Sequence, residues 1–444
     1  MAHAMAAEAV VDDMEGVRPT EELPFRQLFQ IALYWLGINT IMGGIGVVVQ
    51  KQVPLFAPGD LQGPAFIFQS VITMLVACLV QPTVGSISDY TISRWGRRKP
   101  FIAIGATLDV LFLICIGLSN SYAALVVFLT AVQFSSNFAQ GPFQGYIPDL
   151  VPQKQVALAS ALVGVMQTFG FVLGTLVITF GVTSGNYLFP LLFLGLIELA
   201  TAIGTIVWVR EGRSARDRAG RSWLAIARSG WATDILKERS FINLVVSRWF
   251  FLAGTNMLLG FYVVFMAQTL HIANADQGLW INLTGGSMAL VTMISTIPSA
   301  RLSDRIGRKP VIYAACAIGG AGLLVLGLAP SMPVFILGAV ALGVATGTFL
   351  AVDWALMTDI IPKAASGRYM GISNIATASA GSLAAVIGGA MLFFVGGADR
   401  VPEGPRSIYL VGIVLFFLAG FFLRRVDPRP REVRLADEVV VAAA

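Results

Sequence analysis

The chain has 444 residues, 56% of them hydrophobic and only 12% charged, with a formal net charge of +5 and a mean hydropathy of +0.77. A soluble domain carries about twice that share of charge, so an ordinary water-facing globule is excluded and much of the surface must meet lipid. The Lys and Arg surplus belongs to loops between apolar runs and is no sign of nucleic-acid binding. Cys78, Cys115 and Cys316 all lie inside apolar runs, and with only His3 and His271 beside them they exclude a disulfide framework or a metal centre.

Residues 1–26 are polar, lack a signal-peptide pattern and read as a tail. Twelve apolar runs long enough to span a bilayer follow, near 27–50, 62–84, 101–119, 122–144, 156–180, 187–208, 241–267, 278–300, 311–328, 333–357, 368–395 and 407–424. Backbone groups in hydrocarbon must be satisfied within the segment, and no period-2 barrel alternation is present, so the runs predict helices. The fold class is therefore all-α integral membrane. In the first run Asn39 is a candidate to face a cavity, while Trp35 fits either a stacking role or an interfacial belt.

After the second run comes GSISDYTISRWGRRKPFI (85–102), which places Asp89, Arg97 and Arg98 between two apolar segments. The third run holds Asp109 and the sixth Glu198, two acids at membrane depth that serve either as proton carriers or as scaffold hydrogen-bonders. In the fourth run Gln133, Asn137, Gln140 and Gln144 are spaced 4, 3 and 4, which puts four amides on one helical face. Such a face lines a cavity, where amides suit sugar hydroxyls, or else glues helices together. The run ends at PDLVP, with Asp149.

Residues 209–240 form the longest loop between runs and read as a linker between two six-helix halves, 27–208 and 241–424. In the seventh run Arg248 and Thr255 share a face. Arg248 is the only cation at membrane depth, and Asp353 in the tenth run is the expected partner. Protonation of Asp353 would release Arg248; alternatives are a static bridge or membership of a gate at the helix end. Between these runs ARLSDRIGRKPVI (300–312) repeats the skeleton of the first loop, with Asp304, Arg305 and Arg308, and TDIIP, with Asp359, repeats PDLVP. Residues 425–444 form a second tail. Of the 30 Lys and Arg, 26 fall in loops on the side of the termini, so the positive-inside rule puts both termini and the linker in the cytoplasm.

Duplicated six-helix halves with matching loops point to alternating access. The repeated G/A-x-x-x-D-x-x-G-R-K pattern resembles the loop signature of the major facilitator superfamily, which implies two pseudo-symmetric bundles of six helices. The resemblance further implies that Asp89, Arg97, Arg98, Asp149, Asp304, Arg305, Arg308 and Asp359 form a cytoplasmic gate. SRWGRRKPFI and NFAQGPFQGYIPDL are similar to stretches of the proton-coupled sucrose transporters of plants and their animal relatives. The arginine that this branch places in the second stretch falls on Gln144 here.

The expectation is a secondary transporter, not an enzyme, that imports a sugar or glycoside with protons. Asn39, Gln133, Asn137, Gln140, Gln144, Arg248, Thr255 and Asp353 are the candidates for substrate. Asp353, Arg248, Asp109 and Glu198 are the candidates for proton coupling. The rival is a proton-driven exporter of a drug or metabolite. The proton gradient supplies the energy, no cofactor or nucleic acid is expected, and a monomer in the plasma (cell inner) membrane is the expected form.

Overall fold

A computed structural model describes residues 21–56, 62–182, 187–211, 220–231, 233–272, 274–362, 365–396 and 402–429. Most of both expected tails and part of the linker lie outside the described residues. Among the described residues there is no strand, and twelve helical spans are long and apolar enough to cross a membrane. All twelve expected spans are present. The first half comprises α1 (Phe25–Ala32), α2 (Tyr34–Phe56), α3 (Gln62–Asp89), α4 (Lys99–Gly117), α5 (Tyr122–Phe143), the short α6 (Tyr146–Leu150), α7 (Val156–Val182) and α8 (Leu188–Trp208). A linker helix α9 (Trp223–Ser229) leads to α10 (Arg239–Gln268), α11 (Asn274–Ile306), α12 (Arg308–Leu328), α13 (Met332–Ile360), α14 (Ser366–Met391) and α15 (Glu403–Leu423).

Several helices outrun their apolar segments, and this moves the repeated motif. α3 continues to Asp89 and α11 to Ile306, so Asp89 and Asp304 sit on helix ends instead of in loops. The turn to the next helix then needs a backbone that side chains disfavour. Gly96 (φ 116°) and Gly307 (φ 94°) provide it in the two copies. Gly307 is the only residue between α11 and α12.

The chain divides into two compact units, Met1–Ile235 with Ile361–Ile375 and Arg429–Ala444, and Leu236–Ile360 with Ala376–Pro428. In the first unit α2 lies along α7 and α8, α4 along α5 and α8, and α3 along α5. The α2–α7 contact is nearly backbone to backbone: a Cβ on Gly43, Gly170 or Gly174 would run into the carbonyl of Phe171, Leu36 or Thr40. In the second unit α13 lies along α11 and α12, and α15 along α10 and α12. Outward-facing side chains such as Leu79, Phe193 and Phe417 are apolar and exposed, as a lipid-facing surface requires.

The start of α14 groups with the N-terminal bundle. Gly85 on α3 and Gly367 on α14 touch so closely that a Cβ on either would meet the other's carbonyl oxygen. The described part of the linker is fastened to the same place. Ser222 caps α9 by accepting from Ala225 N (3.2 Å), and Ser86 Oγ on α3 donates to Ile226 O (3.2 Å). Trp231 Nε1 donates to Thr83 Oγ1 (3.0 Å), and Arg221 to the Tyr90 hydroxyl (3.0 Å).

Candidate functional site

Five groups of polar side chains stand out, three in the first unit and two in the second. The first is built around Arg98, whose side chain is fully buried at the head of α4. Its Nε donates to Asp149 Oδ2 (2.6 Å), one terminal nitrogen to Ser88 Oγ (3.0 Å), and the other to Asp89 Oδ1 (3.2 Å) and Ser366 Oγ (2.8 Å). Gly145 and Gly367 leave room for the planar guanidinium, since a Cβ on either would strike it. Burial opposes its charge, but the carboxylates of Asp149 and Asp89 outweigh that and raise its pKa, so the group stays cationic. Arg97 adds a 2.5 Å ion pair to Asp149. Asp89 also accepts from the backbone N–H of Gly367 and Arg368 (both 3.3 Å), a carboxylate placed at the N-terminus of α14. Asp149 accepts from Ser366 Oγ (3.0 Å). Sequence reasoning missed Glu211, which accepts from the Arg98 backbone N–H (3.0 Å) and from the Tyr146 hydroxyl.

The second copy of the motif repeats this geometry with fewer partners. Arg308 bonds Asp304 (2.6 Å), Ser303 Oγ (2.8 Å) and Asp359 (3.4 Å). Arg305 is exposed and makes no ion pair among the described residues. Its position one residue after Asp304 turns it away from the acids, so the structure does not bring it into the group expected from the motif.

The amide face of α5 closes on a residue that periodicity did not reveal. Gln81, fully buried on α3, donates to Asn137 Oδ1 (2.6 Å) and Gln140 Oε1 (2.9 Å) and accepts from Gln144 Nε2 (3.3 Å). Asn137 also donates to the backbone oxygen of Gln133 (2.6 Å), whose own side chain is half-buried. Three of the four expected amides thus meet on one partner helix. On α2, Asn39 donates to Trp35 O (2.9 Å) one turn back, and Trp35 is buried with its ring 5.5 Å from Phe143. The belt reading of Trp35 therefore fails, because its ring packs inside the bundle.

In the second unit Arg248 and Asp353 meet at 3.0 Å, and both are nearly inaccessible. The guanidinium also lies over the Trp354 ring, 5.5 Å from its centroid. Asp353 engages Arg248 and not the Arg308 group, although Asp359 lies on the same helix. Thr255 donates to Phe251 O (3.2 Å) within its own helix. The fifth group joins Asp109 on α4 and Glu198 on α8 inside the first unit, with their carboxyls within hydrogen-bonding reach of each other. Tyr34 of α2 donates to Glu198 Oε1 (2.9 Å) and Ser135 of α5 donates to Asp109 Oδ1.

Against known proteins, the sequence matches the family model of the Major Facilitator Superfamily over residues 28–265 and 244–441. The chain belongs to the major facilitator superfamily. It is thus a multi-pass membrane transporter, not an enzyme. Among curated members it is 26% identical over 189 residues to the probable polyol transporter 4 of Arabidopsis thaliana, covering 41% of this chain and 34% of that one. It is 28% identical over 122 residues to the sucrose transport protein SUT1 of Oryza sativa subsp. japonica, covering 22% and 23%. The chain matches about a third or less of the length of these relatives. Solved major facilitator structures share its fold. The human organic anion transporter MFSD10 superposes with a TM-score of 0.69 at 16% identity, over 95% of this chain and 99% of that one. The proton:xylose symporter XylE gives 0.66 at 17%, over 94% and 99%.

Proposed function

We propose that this major facilitator protein carries a small hydroxyl-rich solute, a sugar or polyol, together with protons by alternating access. The observation that carries this reading is the buried amide cluster of Gln81, Asn137, Gln140 and Gln144. Amides donate and accept at once, so the bonds they make to one another here can be exchanged for bonds to solute hydroxyls at little cost, an exchange that an apolar cargo cannot offer. The sequence similarity to polyol and sucrose carriers supports the same class of cargo. Asn39, Gln133 and Thr255 are further candidates to meet the solute.

Arg248–Asp353 is the proposed coupling pair. A proton on Asp353 removes the charge that holds Arg248 and leaves the guanidinium free to move or to meet solute. The proton gradient is the proposed energy source and a monomer the proposed working unit. The termini are proposed to be cytoplasmic, in the plasma (cell inner) membrane, on the bias of Lys and Arg in the loops.

The test is uptake into proteoliposomes of a panel of mono- and disaccharides and polyols under an imposed proton gradient. Accumulation that collapses with an uncoupler is the expected result. Asp353→Asn is expected to abolish accumulation and to spare solute counterflow. Equal loss of both would remove Asp353 from coupling. Gln144→Ala is expected to weaken apparent affinity about fivefold, the worth of roughly 1 kcal/mol of hydrogen bonding. No uptake of any solute by folded protein would favour export of a drug or metabolite instead.

A further inference from the structure

The Asp109–Glu198 pair has a feature that scaffold hydrogen bonding does not account for. Both side chains are fully buried, and each has one oxygen satisfied, Asp109 Oδ1 by Ser135 and Glu198 Oε1 by Tyr34. The other two oxygens, Asp109 Oδ2 and Glu198 Oε2, have no hydrogen-bond partner among the described residues. The two carboxyls are nonetheless within reach of each other. Ser136 Oγ, also fully buried, faces Asp109.

The groups that face the pair come from all four surrounding helices: Tyr34 from α2, Ser135 and Ser136 from α5, and each acid from α4 and α8. No cation is among them. Two ionised carboxylates in contact would therefore leave a double negative charge, fully buried and with no counter-charge among the described residues that face it. Two neutral acids would hold a second proton for which the site offers no further need. A single proton resolves both problems. Placed on one free oxygen, it is donated to the other, so both unsatisfied atoms are paired and the net charge falls to one. That remaining charge accepts from the Tyr34 and Ser135 hydroxyls.

Close backbone approach holds the pair in this geometry. Gly37, one turn after Tyr34, lies where a Cβ would strike Glu198 and Thr201, and Gly105, one turn before Asp109, where it would strike Ala139 and Ser135. No group of three or more acidic, His or Cys ligands occurs among the described residues.

We propose that Asp109 and Glu198 form one proton-binding site, a carboxylic acid–carboxylate pair that holds a single proton shared between its two free oxygens. The site is separate from Arg248–Asp353 and gives the transporter an acid site in its first unit as well as its second. It deepens the proton-driven reading, and only its use during transport rests on that reading.

Infrared spectroscopy of the full chain in lipid vesicles at neutral pH tests the site without any solute, so it can fail separately from the transport proposal. The wild-type protein is expected to show a protonated-carboxyl stretch that shifts on exchange into heavy water. Carbon-13 labelling of all aspartates and, separately, of all glutamates is expected to move that signal in both cases, because both residues hold the proton. This arm needs no variant and is immune to misfolding. Asp109→Asn and Glu198→Gln are each expected to remove the signal, while Asp353→Asn leaves it. No protonated-carboxyl signal, or a signal moved by one label only, would overturn the shared proton. A signal that vanishes as sodium is raised would make the site a cation site instead.

Discussion

The two copies of the repeated motif share their chemistry but not their surroundings. In each, an arginine at the head of a helix bonds a serine and an aspartate on the preceding helix and an aspartate at the end of the next membrane span. Arg98 is sealed from solvent, and its network continues into Ser366, Gly367 and Arg368 of α14. Asp304, in the second copy, keeps a 40% exposed side chain and has Arg308 as its partner. The arginine–aspartate pair to the preceding helix is thus sealed in one copy and open to solvent in the other, while Asp359, like Asp149, stays buried. Burial and backbone donors, not residue identity, set what the motif is worth.

The largest expected break in that comparison is Arg98→Ala. It leaves buried Asp89 without its cation and Asp149 with Arg97 alone, a loss of about 3–5 kcal/mol. Arg308→Ala is expected to cost less, about 1–3 kcal/mol, because Asp304 is hydrated and only the buried Asp359 loses this partner. Thermal unfolding in detergent measures both, and equal losses would refute the contrast. The glycines come next. Gly96→Ala and Gly307→Ala each place a side chain at positive φ, about 1–2 kcal/mol of strain. A Cβ at Gly96 also meets the Glu211 carboxylate, whereas at Gly307 the nearest neighbour is the Pro310 ring at an ordinary 3.7 Å. The first copy should therefore suffer more. Ser88→Ala, which removes one buried bond to Arg98, is expected to cost about 1 kcal/mol. Asp304→Asn should be the mildest change, within about 0.5 kcal/mol, because water can replace what it loses.

The spans, the duplicated motif and the Arg248–Asp353 pair were legible in the sequence, each because lipid leaves a segment few options. Apolar runs must be helices, and a lone intramembrane cation must find an acid. What stayed hidden depends on contacts far apart along the chain. Gln81 has no polar neighbours at helical spacing on α3, so nothing marks it until α5 is laid against it. Glu211 is one charge among many in a basic linker, and only the fold sets it against Gly96 and Tyr146. The start of α14 belongs with α3 because two glycines let the backbones touch, a fact with no periodicity to read. Asp109 and Glu198 were visible as membrane-depth acids, but their pairing rests on glycine contacts between α2 and α8 and between α4 and α5.

The one-residue joint at Gly307 has a mechanical consequence. α11 and α12 are joined by the two torsions of a single glycine, and Lys309 Nζ ties the head of α12 to the carbonyls of Arg424 (3.1 Å) and Val426 (2.7 Å). A roll or tilt of α11 therefore passes to α12 almost undamped, as through a crank. Between α3 and α4 the chain instead runs through residues 90–98. The extra residues in the first copy of the motif lengthen the covalent path between its two helices, and there the bonds from Arg98 to Ser88 and Asp89 do the joining that one glycine does in the second.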